Sequence, residues 1–150
     1  MQPEKDFVEF LELFNKNKVK YCIIGAFAVG LYGYPRYTKD IDILVEPSFN
    51  NAKKIIKALR EFGFSSSGLA EKDFSQENQV IQLGYEPVRI DILTSIEGFG
   101  FARIWKNKTI AKFGTIDAFF IGRKELIETK RRANRDSDRI DLKKIAKRSE

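Results

Sequence analysis

The chain has 150 residues, the ordinary size of one domain with its own core, and 43% hydrophobic against 32% charged residues excludes a disordered polymer. Histidine is absent, which rules out Ser-His or Cys-His nucleophilic catalysis and histidine-ligated zinc, while a single cysteine, Cys22, excludes an intramolecular disulfide. The net charge of +6 gathers in residues 123–150, where eleven Lys/Arg oppose six Asp/Glu, a surface that either attracts phosphate or is simply a solvated helical face.

No run approaches the ~20 apolar residues that cross a bilayer, and the N-terminus MQPEKDFVEF carries acids, so a cytoplasmic protein is expected. Phe7, Phe10, Leu11 and Phe14 recur at helical spacing and predict an amphipathic helix from about Pro3 to Asn15. Val19 to Ile24 read as a strand with Cys22 as a buried small side chain. Gly25 ends it before a helix beginning Ala26-Phe27-Ala28-Val29. Gly33-Tyr34-Pro35 break that helix, and Ile41, Ile43 and Val45 then alternate with Asp40 and Asp42 in a second strand. Ser48 or Asn50 is placed to cap a helix carrying Ile55, Ile56, Leu59 and Phe62, with Gly63 as its stop.

Residues 65–78 are polar and carry no periodic signal. Val80 to Leu83 and Val88 to Leu93 around a Gly84–Pro87 turn predict a hairpin. Ile104-Trp105 and Thr109-Ile110, flanking Lys106-Asn107-Lys108, suggest a second hairpin, and Ile116 to Ile121 another strand. Lys124 to Lys147 read as two helices with a break near Asn134–Ser137 and Leu126, Ile127, Ile140, Leu142 and Ile145 as apolar contacts. The whole is expected to be a single α+β (mixed α/β) domain with a twisted mixed β-sheet flanked by helices.

Carboxylates at i and i+2 on a strand project from one face, so Asp40 and Asp42 converge. Their repulsion is relieved by a hard cation such as Mg²⁺ or by neighbouring Arg36, Lys39 and Arg89. Asp91, set among Ile90, Ile92 and Leu93, needs a partner in the same way. If its strand lies beside residues 40–45, three carboxylates share a site suited to two metals; otherwise Asp91 pairs with Arg89 or Arg36. The Gly25-Ala26 turn presents free backbone N–H groups that favour phosphate.

Ile23-Ile24-Gly25-Ala26-Phe27-Ala28-Val29, then Gly33-Tyr34-Pro35-Arg36-Tyr37-Thr38-Lys39-Asp40-Ile41-Asp42-Ile43-Leu44-Val45, and later Arg89-Ile90-Asp91-Ile92-Leu93, resemble the signature of the polymerase-beta-like nucleotidyltransferase superfamily. The nearest branch is the small bacterial and archaeal one containing minimal nucleotidyltransferases and abortive-infection toxins. Leu126-Ile127-x-x-Lys130, followed by Ala133, Arg135, Asp138, Asp141 and Leu142, is similar to its helical segment of about 123–148.

The resemblance implies an enzyme of EC 2.7.7 type that moves an NMP from an NTP to an acceptor hydroxyl on RNA, protein or a small molecule. It further implies two Mg²⁺ or Mn²⁺ ions on Asp40, Asp42 and Asp91 as metal and catalytic residues, with Gly25, Ala26, Arg36, Thr38 and Lys130 at the nucleotide. The family usually has Gly-Gly or Gly-Ser where this chain has Gly25-Ala26, so a serine hydroxyl contact is missing here. The alternative is a catalytically inactive binding module or toxin-antitoxin component of the same fold. The acceptor, the NTP and the oligomeric state are left open.

Overall fold

The computed structural model describes residues 3–35, 38–64, 68–85 and 88–149, without the side chains of Tyr85 and of 147–149. In chain order the elements are α1 (Lys5–Lys16), β1 (Tyr21–Ile24), α2 (Ala26–Tyr32), β2 (Asp40–Val45), α3 (Phe49–Phe62), α4 (Lys72–Ser75), β3 (Val80–Tyr85), β4 (Val88–Leu93), α5 (Phe101–Lys106), β5 (Thr109–Phe113), β6 (Ile116–Phe120), α6 (Arg123–Ala133) and α7 (Asp136–Ser149). The first helix forms because its four aromatic and leucine positions lie on one stripe, and Phe7, Phe10, Leu11 and Phe14 are all buried. Ser48 caps α3 by accepting the Asn51 N–H at 3.1 Å, and Gly63 ends it in the left-handed region at φ 112°.

The six strands form one mixed sheet in the order β3-β4-β2-β1-β6-β5. Strands β2 and β4 run parallel, as do β1 and β6, while β1 with β2, β3 with β4 and β5 with β6 are antiparallel. The alternation read in β2 is real: Ile41, Ile43 and Val45 are buried, while Asp40 and Asp42 occupy the other face. No described helix is long and apolar enough to cross a membrane.

Two expectations need correcting, and one stretch left unassigned takes on structure. Residues 101–106 are a helix, not the first arm of a hairpin, because Phe101, Ile104 and Trp105 follow i, i+3, i+4 spacing; the hairpin is instead β5 with β6. Ile140 is 54% exposed and makes no core contact of the kind expected, whereas Asp138, two residues earlier and so on the opposite face of the helix, is fully buried. The unassigned polar stretch contains α4, which exists to seat Phe74, 0% exposed, against α3. Removing that ring leaves a cavity that a four-residue helix cannot refill, so Phe74→Ala is expected to cost about 3–5 kcal/mol in urea denaturation; a loss under about 1 kcal/mol would contradict the burial.

Candidate active site

The parallel register of β2 and β4 sets Asp40 opposite Arg89 and Asp42 opposite Asp91, so the sequence's two acidic motifs meet across one pair of strands. On the other flank Asp42 faces Ile24, the last residue of β1 before the glycine turn. Thr38 braces the start of β2: its hydroxyl accepts the Asp40 N–H at 3.2 Å and donates to the Asp40 carbonyl at 3.3 Å. Thr38 does not line the cleft described below.

Three carboxylates on one sheet face repel one another, and the structure answers partly with Arg89. Its Nε donates to Asp91 Oδ2 at 3.2 Å and lies 3.2 Å from Asp91 Oδ1, and its guanidinium reaches Asp40 Oδ2 at 3.8 Å. Asp91 is only 8% exposed. The neutralisation is incomplete: Asp40 Oδ1 and Asp91 Oδ1 are both buried without a hydrogen-bond partner. Burial, and then the charges of Asp91 and Asp40, push the Asp42 carboxyl up from 3.8 to about 6, against the opposing pull of Arg89 and Lys130. In this conformation no three acidic side chains among the described residues are drawn tightly enough together to enclose a metal ion.

Gly25 adopts φ +71°, and a Cβ there would stand 2.2 Å from Asp42 Oδ2, so the carboxylate occupies the space that only glycine leaves free. Beside it opens a cleft of about 640 Å³. Gly25, Ala26 and Asp42 form its sheet side, Ser95, Ile96 and Glu97 after β4 form a rim, and Lys130 with Arg132 on α6 and Asp138 with Asp141 on α7 form the opposite wall.

Lys130 does not point freely into this space. Its Nζ lies 3.3 Å from Asp138 Oδ1 and 3.1 Å from Asp141 Oδ2, and its side chain is 14% exposed. Asp138 also receives the Arg135 backbone N–H at 3.1 Å and Arg135 Nε at 2.7 Å, locking the α6–α7 turn, where Asn134 takes a left-handed conformation. Those contacts hold the Asp138 carboxyl down from 3.8 to about 2, the Arg135 side chain contributing most.

Of the residues singled out in the sequence, Gly25, Ala26, Asp42 and Lys130 line one cleft; Asp40 and Asp91 flank Asp42 on the sheet without lining it; Arg36 lies outside the described residues. The rim at 95–97, Arg132, and the paired role of Asp138 and Asp141 were not read from the sequence. A usable signal existed for the last pair, since acids at 138 and 141 stand one helical turn apart after a basic helix.

Two outcomes follow from this geometry. Gly25→Ala forces a disfavoured backbone angle and evicts the Asp42 carboxylate, so thermal denaturation should show a loss of about 1–3 kcal/mol; an unchanged midpoint contradicts the packing. Because the Asp138 pKa is depressed on folding, its contribution is complete above its ordinary value of 3.8 and is lost as pH falls toward 2. The stability gap between wild type and Asp138→Asn should therefore shrink as pH falls from 5 to 2 in urea titrations, and a pH-independent gap would count against the ion-pair account.

No protein-family model matches the chain, and no curated protein sequence matches it. Solved structures do. The lincosamide antibiotic adenylyltransferase LnuA, crystallised with lincomycin, superposes with a TM-score of 0.63 at 19% identity over 97% of each chain. A candidate nucleotidyltransferase from Thermotoga maritima gives 0.61 at 16% identity over 92% of this chain and 88% of that one. An antigenic nucleotidyltransferase-like protein from Paracoccidioides brasiliensis gives 0.54 at 14% identity over 95% and 74%. At such identities the likeness speaks for architecture, and the architecture of this chain is the nucleotidyltransferase fold.

Proposed function

We propose that residues 1–150 form a single nucleotidyltransferase domain of EC 2.7.7 type that transfers an NMP from an NTP to an acceptor hydroxyl. One observation carries this reading: Asp42 and Asp91 stand side by side on parallel strands, against a glycine turn, at the edge of a cleft whose far wall holds a lysine.

The donor set fits a hard divalent cation. All its atoms are carboxylate oxygens, and two of them, Asp40 Oδ1 and Asp91 Oδ1, are buried without a hydrogen-bond partner. Asp40, Asp42 and Asp91 would hold Mg²⁺ or Mn²⁺, which when bound offsets phosphate charge and lowers the pKa of the acceptor hydroxyl. Gly25 and Ala26 offer backbone N–H groups to the triphosphate, and any larger residue at 25 would collide with the Asp42 carboxylate beside them. Lys130, aimed by Asp138 and Asp141, supplies a positioned positive charge; Arg36, outside the described residues, is the further cation that the family resemblance implies at the nucleotide. The acceptor oxygen attacks the α-phosphorus, its proton passes to Asp91, the bond to the β-phosphate oxygen breaks, and pyrophosphate departs.

The acceptor is RNA, a protein hydroxyl or a small hydroxylated molecule, and the likeness to LnuA over nearly the whole of both chains supports the last. The ion pairs of Arg89 favour a second reading, a non-catalytic module of the same fold, because they already satisfy part of the acidic cluster.

Isotope transfer from each α-labelled NTP, with Mg²⁺ or Mn²⁺, into RNA, protein and a panel of aminated and hydroxylated small molecules separates these readings. Label that vanishes in Asp42→Asn is the expected result, with activity falling at least about a hundredfold, the scale on which lost electrostatic contacts act. Metal plus NTP that raises the thermal midpoint of the wild type with no label in any acceptor favours the binding module.

A further inference from the structure

We propose that Arg89 is a built-in counter-cation that holds the carboxylate cluster in a closed, metal-free arrangement and must leave Asp91 for a divalent ion to bind. The inference rests on the reading of Asp40, Asp42 and Asp91 as a metal centre.

The guanidinium lies where a hard cation would engage Asp91. Its Nε stands 3.2 Å from both carboxylate oxygens, on a residue only 8% exposed. A divalent ion approaches carboxylate oxygen to about 2.1 Å, so both cations at the same oxygens would meet at short range with little water between them.

The pairing is also poorly matched to its task. The guanidinium is shared between Asp91 and Asp40; its reach to Asp40 is long at 3.8 Å; and one oxygen on each of Asp40 and Asp91 remains buried without a hydrogen bond. A half-buried cluster left this incomplete favours a stronger cation over the resident one. While Arg89 is seated, no three acids among the described residues enclose an ion. Its release leaves Asp91 free to turn toward Asp42, the neighbour to which it is registered across β2 and β4.

A simple bracing role makes the opposite prediction. If Arg89 only preorganises the acids, its removal loosens them and weakens metal binding. If it competes, removal strengthens binding.

Mn²⁺ titration of the full chain without nucleotide, followed by electron paramagnetic resonance, distinguishes the two. Arg89→Gln is expected to bind Mn²⁺ on the order of tenfold more tightly than wild type, since a nearby like charge has been removed. Equal or weaker binding overturns the inference and leaves the metal-centre reading intact. Absence of Mn²⁺ binding in the wild type, or binding unaltered by Asp42→Asn, defeats that reading itself and the inference with it.

The wild type provides a second measurement that does not depend on a variant folding. The Arg89 Nε–Hε resonance, assigned by its loss in Arg89→Lys, should shift with the same midpoint as Mg²⁺ binding. A resonance unmoved at saturating Mg²⁺ overturns displacement.

Discussion

Everything at the site depends on forcing like charges together. The parallel pairing of β2 with β4 is made by apolar residues, Ile41 and Ile43 beside Ile90 and Ile92, all buried. Their hydrophobic burial fixes a register, and with period-two alternation the same register carries Asp42 to Asp91 and Asp40 to Arg89 on the opposite face. The core thus holds a repulsion that the acids alone would not adopt. The Asp42 pKa, raised by burial first and then by the charges of Asp91 and Asp40, and the two unbonded oxygens are the marks of that arrangement.

The surrounding elements are arranged to tolerate it. Gly25 gives the Asp42 carboxylate room that any side chain would deny, and Arg89 supplies partial neutralisation from the neighbouring strand. The far wall is built on a different principle. Lys130, Arg135, Asp138 and Asp141 form an ionic network in which a fully buried carboxylate fastens α7 to α6. A low dielectric makes such a network specific in geometry, because each member left unpaired would be costly.

Much of this was legible in the sequence. Glycine stops, the Ser48 cap and the alternation in β2 are local signals, and they gave α1, α2, α3, the strands to β4 and the tail helices. Asp91, an acid in an apolar strand, left two alternatives open, a place beside Asp40 and Asp42 or an ion pair with Arg89 or Arg36, and the structure has both the strand pairing and the Arg89 contact. What escaped depends on tertiary context. The span around α4 has a polar sequence, and only its packing on α3 makes Phe74 a core residue. At α5, β-branched and aromatic residues near Thr109 favoured extended chain, and helical spacing over one and a half turns was too short to outweigh them. Asp138 was read only as part of the segment resembling the family's tail; its local partner Arg135 lies three residues away, but its burial and its pairing with Lys130 arise only when α7 packs back on α6.

The seat of α7 has a kinetic consequence. Among its described side chains the fully buried ones are Asp138 and Ile145, while the sheet beneath the cleft is anchored by a continuous apolar cluster. Opening α7 therefore exposes little hydrophobic surface, and such segments exchange their amide hydrogens at lower free energies than a core strand does. The cleft is bounded on one side by the apolar core of the sheet and on the other by a helix seated largely through ion pairs, which carries the partners of Lys130. Entry and exit of a bulky ligand can then proceed through a local fluctuation of one wall while the carboxylate floor stays folded.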